Sequence, residues 1–77
     1  MGIKQNLKKL LRNPSSMRIE EIVNIMRFLG YTLDRIKGSH YIFVKPYQQV
    51  KIIPTKQGKV KQCYLKTIIQ IYESVNH

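Results

Sequence analysis

Apolar residues recur at helical spacing along the first part of the chain. Ile3, Leu7, Leu10 and Leu11 share one face of a helix over Ile3 to Arg12, with Lys4, Lys8 and Lys9 elsewhere. Asn13-Pro14-Ser15-Ser16 breaks that helix and offers a cap for the next one. The second helix is predicted over Met17 to Leu29, with Ile19, Ile22, Val23, Met26 and Leu29 as its apolar stripe. Glu20 and Glu21 stand in its first turn, where the helix dipole favours them, and Gly30 follows its last apolar position as a stop. The period then falls to two. Tyr31, Leu33 and Arg35 alternate with Thr32, Asp34 and Ile36, which predicts a strand; Lys37-Gly38-Ser39 is a turn. His40 to Lys45 is β-branched and aromatic, a second strand, and Val50 to Ile53 is a third, ended by Pro54. Pro46-Tyr47-Gln48-Gln49 is a turn and Thr55 to Lys59 a polar loop. From Lys61 to about Val75 helical spacing returns, with Tyr64, Leu65, Ile68, Ile69, Tyr72 and Val75 toward the core.

Helix, helix, three antiparallel strands, helix is the order of a two-layer α+β sandwich with the helices on one face of the sheet. Alternation does not settle which face of the second strand meets the helices, because His40, Ile42 and Val44 compete with Tyr41 and Phe43. With 77 residues the chain is expected to form one domain, residues 1–14 being a helical extension and 15–77 the core. At 43% apolar residues it is globular rather than disordered. No apolar run approaches the length of a membrane span, and MGIKQNLKKLLRNP has no h-region of a signal peptide. The lone Cys63 has no internal disulfide partner and no ligand companions for a metal; all this fits a reducing cytoplasm.

Charge changes the picture most. Fourteen Lys and Arg face four acids, for a net charge of +10. Eight basic residues and no acid lie between Arg35 and Lys66. A polyanion is the expected partner: a nucleic acid, an acidic protein, or both. A merely solubilising surface is the poorer account, because so large an excess in so short a chain repels itself when unpartnered. Charge alone carries no sequence or chemical specificity.

The inventory for chemistry is short. There is no carboxylate pair at acid–base spacing, no Cys/His cluster for zinc and no glycine-rich phosphate loop, so metal-dependent hydrolysis and cofactors are not expected. What remains is His40 with Ser39, the cations and five tyrosines. That set suits RNA cleavage, in which the substrate's own 2′-hydroxyl is the nucleophile. The reaction needs a proton acceptor in the neutral range, which histidine supplies, and cations for the phosphorane. The candidate catalyst is His40. The candidate RNA contacts are Arg35, Lys37, Gly38, Ser39, Lys56, Lys59 and Lys61. Plain readings stand beside these. His40 can be a structural residue leading a strand, Gly38-Ser39 a turn with positive φ, and Lys56, Lys59 and Lys61 solvated loop charge. Tyr41, Phe43, Tyr64 and Tyr72 read as core; Tyr31 and Tyr47 are open between core and base stacking. With His77 at the terminus, one histidine has to serve with a lysine, a tyrosine or water, and turnover is expected to be slow.

"LGYTLDRIKGSHYIFVKP" followed by "VKIIPTKQGKVKQCYLKTIIQIYE" resembles the HicA family of toxin–antitoxin systems over roughly residues 16–76. The features that carry it are Gly30-Tyr31, Gly38-Ser39-His40, Ile42-Phe43, Pro54, Gly58-Lys59 and the helix from Leu65 to Tyr72. The first helix and Asn13-Pro14 resemble a longer-headed subgroup. Where family members often carry further histidines, this chain has Tyr41, Lys45 and Thr55. The resemblance implies a fold like a double-stranded-RNA-binding domain, α-β-β-β-α, with a short extra N-terminal helix. It implies a ribosome-independent mRNA endonuclease, an mRNA interferase, in which His40 matches the catalytic histidine. It also implies a HicB-type antitoxin that covers the His40 face. Two other functions fit the residues: a non-catalytic RNA- or DNA-binding module, and an interaction protein whose only partner is acidic.

Overall fold

The computed structural model describes residues 2–12 and 17–75. In chain order the elements are α1 (Ile3–Arg12), β1 (Met17–Arg18), α2 (Ile19–Phe28), β2 (Thr32–Lys37), β3 (His40–Val44), β4 (Lys51–Pro54), β5 (Lys59–Val60) and α3 (Gln62–Val75). β2, β3 and β4 form the antiparallel sheet in sequential order, and β1 pairs with β5 in a separate two-stranded ladder. The α+β arrangement with a three-stranded sheet is the expected one. The small ladder is not, because two-residue strands carry no periodicity.

α1 has the expected bounds, and Leu10 is buried while Ile3 and Leu7 pack at the edge of the core. Leu11, expected on the same face, is exposed. The helix lies against α2 and α3. Its polar clasp on α2 consists of Asn6 Nδ2 donating to Asn24 Oδ1 at 3.1 Å and Lys9 Nζ meeting Glu21 Oε2 at 2.6 Å.

The second helix begins two residues later than Met17, at Ile19. Met17 and Arg18 are drawn into pairing with Val60 and Lys59. The Ile19 amide donates to Gly58 O at 2.8 Å and the Arg18 amide to Glu21 Oε1 at 3.0 Å, so two amides at the helix start are met by the 56–60 hairpin and by Glu21. The cap expected from Asn13 to Ser16 lies outside the described residues. The stripe is rotated slightly from expectation: Ile25 is buried and Val23 only half-buried.

The C-terminus of α2 is a Schellman motif. Tyr31 N–H reaches Met26 O at 2.9 Å and Gly30 N–H reaches Arg27 O at 3.0 Å, with Met26 and Tyr31 both in the core. Gly30 has φ 93, and a Cβ there would come within 3.1 Å of Lys45 Cε. Lys45 uses that space: its Nζ donates to Leu29 O at 2.9 Å and lies 5.5 Å from the Tyr31 ring centroid, a cation at the negative end of the helix.

Register settles the faces of the sheet. Phe43 stands opposite Leu33 and Lys51, and Tyr41 opposite Ile36 and Ile53. Phe43 is fully buried in one cluster with Ile22, Met26, Ile53, Leu65 and Ile68, so the Tyr41/Phe43 face meets the helices. His40, Ile42 and Val44 occupy the other, open face with Ile52 and Pro54. β2 breaks the expected alternation: a bulge between Leu33 and Arg35 sets Arg35 opposite Ile42. Arg35 therefore leaves the Tyr31/Leu33 face and joins the open one. In α3, Leu65 and Ile68 are buried and Tyr64, Ile69 and Tyr72 pack around them, whereas Val75 is exposed. The 55–59 segment is a hairpin rather than a loop, with Lys56 and Lys59 exchanging hydrogen bonds of 2.9 and 3.0 Å.

Candidate functional site

The β2–β3 hairpin presents His40. Lys37 and His40 are directly opposite across a two-residue turn, and Gly38 at its first central position has φ 61. A type II′ turn asks for glycine there, and its twist matches that of the strands. The second central residue, Ser39, does not have positive φ. The turn is tied down from the side: Thr55 donates to Ser39 O through its amide at 2.8 Å and its hydroxyl at 3.0 Å. The backbone carrying His40 is therefore held between β2 and the end of β4, while the imidazole side is exposed.

Cross-strand neighbours on one face have Cβ atoms about 5 Å apart. His40 has two such neighbours, Lys37 and Pro54, and Arg35 lies one pair further along the same face, opposite Ile42. The open face thus joins an imidazole to an ammonium and a guanidinium. Arg35 Nη1 also contacts Asp34 Oδ2 at 3.4 Å, a solvated pair that leaves the guanidinium mostly exposed.

The remaining candidates follow Pro54. Lys56 and Lys59 are paired across the second hairpin, and their side chains share its outer face with Arg18, which stands opposite Lys59. Lys56 and Lys61 line a hollow with Pro54, Thr55 and Tyr64. The structure brings together all eight sequence candidates in two groups. Arg35, Lys37, Gly38, Ser39 and His40 sit on the first hairpin. Lys56, Lys59 and Lys61 sit on the second, and the two are joined by the Thr55–Ser39 bonds. Sequence reasoning missed Thr55 as a positioning residue and Arg18 as part of the cationic face. Arg18 has no local signal, since only the β1–β5 ladder brings it beside Lys59. Among the described residues no group of three or more His, Cys, Asp or Glu is placed to hold a metal ion.

A family model described as "HicA toxin of bacterial toxin-antitoxin" matches residues 19–72. The match takes in α2, the whole three-stranded sheet, β5 and most of α3. The chain belongs to the HicA toxin family. As a HicA toxin it is one half of a toxin–antitoxin system, and an antitoxin is its implied partner. α1 and β1 lie outside the matched span. Searches of curated proteins and of solved structures give no match. No helix among the described residues is long and apolar enough to cross a membrane.

Proposed function

We propose that this HicA toxin is a metal-independent RNA endonuclease, an mRNA interferase with slow turnover, and that His40 is its proton-transfer group. The observation that supports it is the placement of an exposed imidazole beside Lys37 and Arg35 on the open sheet face, with Lys56, Lys59 and Lys61 on the adjoining hairpin. In this reading His40 accepts the proton of a ribose 2′-hydroxyl as that oxygen attacks the adjacent phosphorus. The P–O5′ bond breaks, leaving a 2′,3′-cyclic phosphate on one fragment and a 5′-hydroxyl on the other. Lys37 and Arg35 offset the charge that grows on the phosphorane oxygens. The proton for the leaving 5′-oxygen comes from a lysine, a tyrosine or water. DNA lacks the 2′-hydroxyl, so the same face can bind it without cutting it.

The partner in this reading is a HicB-type antitoxin that covers the His40 face. An acidic partner with an apolar centre suits that surface, where Ile52 and Val44 share a face with Arg35 and Lys37 and the net charge is +10.

The test is paired expression of the parent chain and His40→Ala in a bacterial host, with growth and mRNA integrity followed together, and incubation of both purified proteins with single-stranded RNA. Arrest and mRNA loss in the parent alone are expected, with cyclic-phosphate ends on the products. An equally toxic His40→Ala chain removes His40 as the catalyst. Strong salt-dependent binding by both proteins with RNA left intact would make the chain a binding module instead.

A further inference from the structure

Tyr47 is the tyrosine this fold does not use. Tyr31 is buried, and Tyr41, Tyr64 and Tyr72 pack against the core, but Tyr47 is 102% exposed. Its backbone is also in an unfavourable place. Gln48 N–H donates to Lys45 O at 3.1 Å, closing a four-residue turn with Pro46 second and Tyr47, at φ 65, third. That is the pattern of a type II turn, whose third position belongs to glycine or asparagine. A bulky side chain there is an outlier that costs stability unless contacts repay it. No contact repays it here, since the ring stands in solvent. Among the described residues Gln57 is the other non-glycine residue with positive φ, and it is held by the paired hairpin bonds on either side of it.

The surroundings of Tyr47 indicate what the ring is displayed to. Beside the turn, on the α3 side of the sheet, is a hollow lined by Tyr31, Lys45, Gln48 and Lys51 together with Gln70 and Ser74 of α3. Lysine offers an ammonium to phosphate and glutamine an amide to a base edge. No carboxylate lines this hollow, and none occurs in the sequence from Arg35 to Lys66. His40 opens β3 and Tyr47 follows its far end, so at about 3.3 Å per residue the two are separated by roughly 15–20 Å. That is the span of a few nucleotides of extended single strand.

We propose that Tyr47 is a base-stacking residue. It presents its ring to a base of single-stranded RNA that leaves the phosphate at His40 on the open face and rounds the end of the sheet a few nucleotides on, with Gln48 beside the base edge and Lys51, on the helix side, toward the backbone. The proposal rests on the RNA-cleaving reading of His40. It assigns to the β3–β4 turn the part of substrate binding that sets how long an RNA must be to bind well.

The experiment uses the full chain carrying His40→Ala, so that binding is measured without cleavage. Affinity for a single-stranded oligoribonucleotide of about ten nucleotides, within the usual range for single-strand sites, is followed by fluorescence anisotropy. Tyr47→Ala and Tyr47→Asn are expected to weaken binding by roughly 5- to 100-fold, the usual worth of one stacked base, and Tyr47→Phe to retain it. A trinucleotide, too short to reach from His40 to Tyr47, is expected to show no dependence on residue 47. Because asparagine tolerates positive φ, Tyr47→Asn is expected to melt at or above the parent's midpoint while losing affinity. RNA affinity within twofold of the parent for both Ala and Asn overturns the proposal. So does a midpoint several degrees lower for Asn, which would make Tyr47 a structural residue. Loss of affinity for the antitoxin alone would make Tyr47 a protein contact, again overturning the proposal. If the His40→Ala chain binds no single-stranded RNA at all, the endonuclease reading falls with it; binding that ignores Tyr47 removes this inference only.

Discussion

The two faces of β3 use the same five residues for opposite ends. On one side Tyr41 and Phe43 point into the helix layer, and Phe43 is completely buried among Ile22, Met26, Leu65 and Ile68. On the other side His40 is exposed beside Lys37 and Val44 is half-buried beside Thr32, while Ile42, between Arg35 and Ile52, is buried although no helix lies over it. A substitution on the first face acts through packing and one on the second through what approaches from outside. Side chains of neighbouring residues point opposite ways, so an imidazole can be changed three bonds of chain away from a core ring without disturbing it. The comparison also teaches caution about apolarity: the open face carries an exposed Ile52 and a half-buried Val44 beside the buried Ile42, although no helix covers it. In an antiparallel sheet with one solvated face those positions are normally polar, which fits a face that a partner covers.

That contrast can be broken most sharply at its packed side. Phe43→Ala is expected to cost about 3–5 kcal/mol, enough to leave a domain of this size largely unfolded, and denaturant titration measures it. His40→Ala is expected to leave stability within about 0.5 kcal/mol while lowering RNA cleavage by roughly 10²- to 10⁴-fold, read by unfolding and by single-turnover cleavage of the same preparation. If His40→Ala unfolds the chain, the two faces are not independent.

Smaller effects sharpen the comparison at the turn that joins them. Gly38→Val forces a β-branched residue to φ 61 and is expected to cost about 1–3 kcal/mol, with cleavage falling further than stability because His40 is displaced. Thr55→Val removes the hydroxyl bond to Ser39 O but keeps the amide bond and the shape, and is expected to cost about 1 kcal/mol. Cleavage by Thr55→Val should fall several-fold at an unchanged salt dependence of binding, the signature of a residue that positions rather than contacts the RNA.

The smallest effect lies far from the sheet. Burial pushes the Glu21 carboxyl up, but the Lys9 ammonium and the Arg18 amide outweigh it, and Glu21 titrates below its ordinary value of 4.5. A carboxylate held low in the folded state stabilises that state above its unfolded pKa and loses the contribution as pH falls through the folded one. Stability is therefore expected to decline below about pH 4.5, and Glu21→Gln should flatten that part of the profile by no more than about 1 kcal/mol, since the Lys9 end of the pair is solvated. The measurement is the unfolding midpoint from pH 6 to pH 3 for both chains, roughly the window in which a carboxyl titrates.

Much of this protein was legible in the order of its residues, where the signal is local. Helical spacing in α1 and α3, the Gly30 stop and the turn with positive φ at Gly38 each depend on a few neighbouring side chains and the backbone angles they allow, while the third strand, expected over Val50 to Ile53, runs one residue later and takes in Pro54. The candidate residues were legible for the same reason, since Lys37 to His40 form one tight turn. Three things were decided by the tertiary structure. Which face of β3 is buried depended on long-range packing, because Ile42 and Val44 compete with Tyr41 and Phe43 in apolarity and alternation cannot choose between them. The bulge after Leu33 moved Arg35 onto the face of His40, and a bulge is set by how two strands meet. The β1–β5 ladder put Arg18 beside Lys59 and shortened α2, through two strands of two residues each that are too short to have a period. Local chemistry wrote the elements and the turn that carries the imidazole. Beyond Lys37, which the turn itself supplies, the cations gathered near it were placed by contacts between residues distant in the chain, where no local pattern records the partner.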